Sequence, residues 1–178
     1  DRVNVPRAVA SALGQAGVRV EVILVDDGSD LPTREFIGQL AASDARIRTY
    51  FLPRNGGQGL ARNLGAMLAR APLVAFMDQD DEHAPGWYVH ARALLDSNPR
   101  VGALSGDAVV IDIPPRLGVD ASDVRIRGLS HVFVTNMVFR RSVFLASGGF
   151  PAGGVWRGKV AGEDGIFRRA VAENWRGA

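Results

Sequence analysis

The sequence contains no cysteine, which removes disulfides and thiolate metal sites from consideration at once. It is nearly without lysine, Lys159 being the only one, so almost all of its positive charge is arginine scattered along the chain with no basic run. The net charge is only +2, and neither the balance nor the distribution suggests a nucleic-acid partner. No apolar stretch approaches the roughly 18 residues needed to span a bilayer, and no signal peptide is recognisable. The expected setting is therefore a reduced, cytoplasmic one. The composition is ordinary: 47% hydrophobic and 22% charged over 178 residues. That suits one domain with a real core and argues against a disordered tail, a collagen-like fibre or a coiled coil. No internal repeat or dividing linker is evident.

The chain alternates apolar runs with helical segments, the pattern of an α/β protein. Val5, Ala8, Val9, Ala12 and Leu13 recur at helical spacing within 3–15. The β-branched run Val20 to Val25 reads as a buried parallel strand that empties into Asp26-Asp27-Gly28-Ser29. Pro32 marks the start of a helix to about Ala42. Residues 46–52 read as a strand, 55–59 as a flexible loop and 60–70 as a helix. Leu73 to Met77 is a further strand, emptying into Asp78-Gln79-Asp80-Asp81. Pro85 begins a helix that ends near Asn98-Pro99. Strands are expected within 101–113 and 132–140, helices at 142–147 and 163–173, and a mobile glycine-rich loop at 151–162.

Two acidic clusters thus fall at the C-terminal ends of strands, and in an open α/β sheet those ends form the edge where ligands bind. Like charges crowded together disfavour ionisation, and a hard divalent cation relieves the conflict. Mg²⁺ or Mn²⁺ binds one or two carboxylates together with substrate phosphates. A crevice for a metal-complexed phosphate compound is the inference. Asp-Gly-Ser after a strand equally suits a plain turn; three acids within 78–81 are less readily explained that way.

Five segments occur in a telling order. They are Val25-Asp26-Asp27-Gly28-Ser29, Asn55 through Gly65, Asp78-Gln79-Asp80-Asp81, Gly148-Gly149-Phe150 and Gly162-Glu163-Asp164. Together they resemble the inverting family 2 glycosyltransferases with a GT-A fold, whose central sheet is Rossmann-like, mostly parallel and flanked by helices. The resemblance implies a single domain over 1–178, with a nucleotide-sugar-binding half at 1–113 and an acceptor-side half at 114–178. It also implies a fragment, because the family's first strand with its Pro/Tyr/Asn turn and the family's C-terminal region have no counterpart here. Any peripheral membrane association would run through those regions.

Carried over residue by residue, the resemblance assigns donor contacts to Asp26, Asp27, Asn55, Gly56, Arg62, Asn63, Asp78 and Asp80. Asp78-Gln79-Asp80 is its DXD motif. Either Asp80 or Asp81 would hold Mn²⁺ or Mg²⁺. Asp164 would be the general base, with Glu163 orienting the site, while Gly149, Phe150 and Trp156 would serve the acceptor, a carbohydrate or glycolipid. A helix N-terminus favouring acids is the plainer reading of Glu163-Asp164. For Arg62 and Asn63 it is a surface cap or ion pair. His83 and His131 are given no role. The implied reaction moves a sugar from a nucleoside-diphosphate sugar, UDP-linked by preference, to an acceptor hydroxyl with inversion, in polysaccharide or glycoconjugate synthesis. The alternatives are a non-catalytic nucleotide-sugar-binding module and a haloacid dehalogenase-type phosphatase. The phosphatase motif wants Thr or Val where Glu82 stands, and no Walker loop is present.

Overall fold

A computed structural model describes residues 2–111, 113, 115–120, 123–124, 133–157 and 162–174. The first half is built of alternating helices and strands: α1 (Asn4–Leu13), β1 (Val22–Asp26), α2 (Leu31–Ala42), β2 (Ile47–Phe51), α3 (Gln58–Leu68), β3 (Leu73–Ala75) and α4 (Trp87–Ser97). The second half adds β4 (Ala103–Ser105), β5 (Met137–Arg140), α5 (Arg141–Ala146) and α6 (Glu163–Asn174), with short 3-10 turns at Pro115–Leu117 and Gly154–Arg157.

Strands β1 and β2 pair in parallel, from Val22 opposite Ile47 to Asp26 opposite Phe51. The helix between them starts sharply because Asp30 accepts from the Thr33 amide at 3.0 Å and Pro32 occupies the first turn. Helix α3 lies against β1, where a Cβ on Gly65 would sit 3.7 Å from Val25 Cγ2. The other strands form an antiparallel sheet in the order β3-β5-β4. The sheet system is therefore mixed, parallel at β1 and β2, with β5 reversed between β3 and β4.

Within 101–113, where a strand is expected, β4 takes Ala103–Ser105. The Gly106 amide still bonds the Asn136 carbonyl at 2.9 Å, but beyond it Val109 and Ile111 are 81% and 64% exposed. Their apolar alternation has no partner strand among the described residues.

The core is an aromatic cluster gathered from distant parts of the chain. Phe76, Phe139, Phe144, Phe150 and Phe167 pack with ring centroids 4.5–6.0 Å apart, mostly tilted or edge-on. Such pairs contribute about 0.5–1.5 kcal/mol each beyond the area they bury. This cluster ties α5, α6 and the 148–150 turn to the sheet directly beneath the acidic residues.

Helix α1 buries Ala8, Val9 and Ala12 and reaches the segment after Asp81. Ser11 Oγ accepts the His83 amide at 3.1 Å. The buried Gln15 donates to the His83 and Ala84 carbonyls at 3.3 and 2.9 Å. The acidic turn is thereby held from behind.

Candidate functional site

Strand β1 delivers Asp26 and Asp27 to its C-terminal end, and the two carboxylates part company there. Asp26 is buried, accepts the Ser29 amide at 3.1 and 3.3 Å, and lies 3.2 Å from Arg34 Nε. Asp27 reaches across to the 55–57 loop, its Oδ1 accepting the Gly56 amide at 2.6 Å and its Oδ2 the Gly57 amide at 2.9 Å. Between the loops lies Gly28 with φ +82°, where a Cβ would come within 2.4 Å of the Asn55 nitrogen. Only glycine fits that approach. The exposed Asn55 and buried Gly56 thus form one unit with the 26–29 turn.

Gly57, with φ +89°, turns the chain into α3. One face of α3 then holds the other half of the site. Gln58 donates its side-chain amide to the Glu163 carboxylate. Arg62, its side chain 9% exposed, bonds Asp78 Oδ1 through Nη2 at 2.8 Å and Asp164 Oδ1 through Nη1 at 2.5 Å, with Glu163 Oε1 at 3.7 Å. Its guanidinium also lies 5.4 Å from the Phe150 ring centroid. Asn63 clamps the Phe150 backbone, Nδ2 donating to its carbonyl at 2.9 Å and Oδ1 accepting its amide at 2.8 Å. The close fit extends to Gly149, at φ +69°, where a Cβ would meet Asn63 Oδ1 at 2.5 Å.

One guanidinium among three carboxylates leaves a net negative cluster when all are ionised. Burial works against the charge of Arg62, yet Asp78, Asp164 and Glu163 more than offset it, and its pKa is raised. Partial burial lifts the Asp164 carboxyl above its ordinary value, helped by Glu163 and Asp78 and opposed by Arg62. Asp81 is also lifted, first by desolvation and then by its neighbours Asp78 and Asp80, against a hydrogen bond from the Thr135 side chain. The turn closes with the Asp81 amide on the Asp78 carbonyl at 3.2 Å, leaving Asp80 and Asp81 both exposed.

The donor set at 78–81 is made of hard carboxylate oxygens, the chemistry suited to Mg²⁺ or Mn²⁺. Among the described residues no three acidic or histidine side chains form a complete cation site. A metal here would take one or two protein ligands, with phosphate oxygens and water completing its shell. His83 is not one of them. Its Nδ1 and Nε2 lie 2.7 Å from Tyr88 Oη and 2.6 Å from the Thr135 carbonyl, so both ring nitrogens are used inside the fold.

The structure brings together Asp27 with Gly56, and Arg62 with Asp78, Glu163 and Asp164. It gives other expected site residues different uses. Asp26 and Asn63, expected at the donor, spend their side chains on the Ser29 amide with Arg34 and on the Phe150 backbone. Phe150, expected at the acceptor, is 2% exposed and packs in the aromatic core beneath the site. Trp156 is half-buried on the 3-10 turn Gly154–Arg157. Residues 158–161 of the expected loop, and His131, lie outside the described residues. The role of Gln58 was not anticipated. Its sequence signals are its place inside the 55–65 segment and its spacing of four residues before Arg62, on the same helix face.

Comparisons with known proteins give the family and the fold. The model of Glycosyl transferase family 2 matches residues 2–145. The succinoglycan biosynthesis protein ExoO of Rhizobium meliloti is 44% identical over 82 residues, 46% of this chain and 23% of that protein. Among solved structures, S. aureus TarS (residues 1–349) superposes with a TM-score of 0.74 at 20% identity, over 98% of this chain and 52% of that one. The mannosyltransferase PcManGT of Pyrobaculum calidifontis, in complex with GDP-Man and Mn²⁺, gives a TM-score of 0.70 at 18% identity, over 99% of this chain and 50% of that one. The chain thus spans about half the length of these solved neighbours and less of ExoO. Among the described residues no helix is long and apolar enough to cross a membrane. The fold is GT-A, and the chain belongs to glycosyl transferase family 2.

Proposed function

We propose that this chain forms the donor-binding and catalytic part of an inverting, divalent-metal-dependent glycosyltransferase acting on a nucleoside-diphosphate sugar. The observation that carries the reading is the cluster around Arg62, which joins Asp78 at the end of the sheet to Glu163 and Asp164 at the start of α6. S. aureus TarS has been solved with UDP-GlcNAc and PcManGT with GDP-Man, which supports a nucleotide-sugar donor. Succinoglycan biosynthesis by ExoO favours a carbohydrate acceptor in polysaccharide assembly.

Asp164 is the proposed general base. A sugar hydroxyl is a poor nucleophile, and its proton must pass to a positioned carboxylate as the new bond forms. The acceptor oxygen attacks the anomeric carbon from the face opposite the nucleotide, its proton goes to an Asp164 oxygen, and the bond to the diphosphate breaks with its electron pair leaving on that group. Inversion follows from the single displacement. The raised pKa of Asp164 suits a base that must accept a proton near neutral pH. A divalent ion bound through Asp80 or Asp81 would supply Lewis-acid stabilisation of the leaving diphosphate. Asp27 keeps the Asn55–Gly57 loop in place against the nucleotide side, and Glu163 holds the start of α6. Residues 1–113 would serve mainly the donor and 114–178 the acceptor.

The test is nucleoside diphosphate release from UDP-, GDP- and dTDP-sugars with Mn²⁺ present. Wild type should release one nucleotide, and Asp164→Asn should lose turnover while still binding it. No release by either protein, or equal release by both, would contradict the assignment.

A further inference from the structure

The face of α3 that carries Gln58 and Arg62 does something that the proposed reaction does not by itself require. It fastens the acids at the start of α6 to an acid at the end of β3. Arg62 is the joint, because its two terminal nitrogens bond different carboxylates, Asp78 at 2.8 Å and Asp164 at 2.5 Å. These partners lie 16 and 102 residues away in sequence. The arginine is locked by its 9% exposure and by the Phe150 ring beneath it. Gln58, four residues earlier, holds Glu163 in the same manner.

We propose that Arg62 is a positioning residue, fixing the Asp164 carboxylate relative to Asp78 so that the base and the donor-side acid are held as one unit. The inference rests on the role given to Asp164 above. A planar guanidinium can fork to two carboxylates with defined geometry, whereas a lysine ammonium is a point charge on a flexible stem. The arrangement therefore needs arginine, not merely a positive charge.

Among the described residues, the charged groups facing Asp164 are Arg62 from α3, Asp78 from the turn after β3, and Glu163 and Arg168 from α6. When Arg62 is removed, Asp78 and Glu163 still repel the ionised Asp164, and among the described residues only Arg168 is left to oppose them. The carboxyl must then titrate at higher pH.

Two readouts separate this inference from the reaction it rests on. Carbon-13 NMR of the aspartate carboxyls needs no substrate, and the Asp164 signal is identified by its loss in Asp164→Asn. It should titrate at higher pH in Arg62→Met than in wild type. In Arg62→Lys, the charge should retain part of the lowering. Steady-state kinetics on the donor that wild type turns over should then show a kcat loss in both variants on the order of 10²-fold, the cost of misplacing a reacting group by about 1 Å. The donor KM should change little, and the acid limb of kcat in Arg62→Met should move up in pH.

Full kcat in Arg62→Lys, or an Asp164 titration unmoved in Arg62→Met, would overturn the proposal. If wild type turns over no donor, the reaction assignment fails and the NMR titration alone decides the coupling of Arg62 to Asp164. If Arg62→Met does not fold, the kcat and KM of Arg62→Lys decide the matter.

Discussion

Replacing Asn63 with alanine should destabilise the fold in a way that its modest size does not suggest. Its amide is the partner of both backbone groups of Phe150, at 2.9 Å to the carbonyl and 2.8 Å from the amide nitrogen. Truncation leaves a donor and an acceptor without their partner beside a ring that is 2% exposed. Each stranded buried group costs about 1–3 kcal/mol, and partial access for water trims the total. A loss of about 2–4 kcal/mol is therefore expected, or a fall in Tm of about 4–16 °C for a chain of this length. Asn63→Asp should fall between wild type and alanine, since a carboxylate accepts from the Phe150 amide but cannot donate to its carbonyl. Thermal unfolding followed by circular dichroism, with urea titration as a second measure, provides the assay. A Tm for Asn63→Ala within 2 °C of wild type would refute the reasoning, as would an aspartate variant less stable than the alanine one.

Further consequences follow from the same packing. Gly28→Ala must place a Cβ about 2.4 Å from the Asn55 nitrogen at a φ of +82°. The left-handed backbone alone costs about 1–2 kcal/mol, and the loop displacement should also weaken nucleotide binding in a titration; unchanged affinity would count against its role as a loop contact. Phe144 is 1% exposed and touches four other rings, so Phe144→Ala should cost about 3–5 kcal/mol by urea unfolding. Burial lowers the pKa of His83 below its ordinary 6.5, opposed by the Thr135 carbonyl and Asp81. Its neutral form is the one the fold prefers, so stability should decline as pH falls below about 6.5. His83→Gln should flatten that part of the profile, which denaturant melts at pH 7.5 and 5.5 will reveal.

Local chemistry made much of this fold readable. The β-branched run at 20–25, the Asp30 cap with Pro32, and the acids that follow two strands each carry their signal within a few residues. The direction of β5 does not, because whether Met137–Arg140 runs with or against β3 depends on the path of the whole intervening chain. The extent of the strand within 101–113 was not legible either, since pairing stops near Gly106 and leaves Val109 and Ile111 exposed. In the site, Asp27 and Asp164 stand out by residue type and place. Asn63 and Arg62 do not, since their significance comes from Phe150, Asp78 and Asp164, partners 16 to 102 residues distant. A phenylalanine following two glycines likewise gives no hint of whether its ring faces an acceptor or the core.

The account stands or falls on the acidic turn at 78–81 holding a metal-bound diphosphate. Isothermal titration of UDP, GDP and dTDP into the wild-type protein, with and without Mn²⁺, measures this directly. The predicted result is binding of one of these nucleotides that requires Mn²⁺ and is lost in either Asp80→Ala or Asp81→Ala. Nucleotide binding indifferent to Mn²⁺ and to both substitutions, or no binding by the folded wild-type protein, would contradict it.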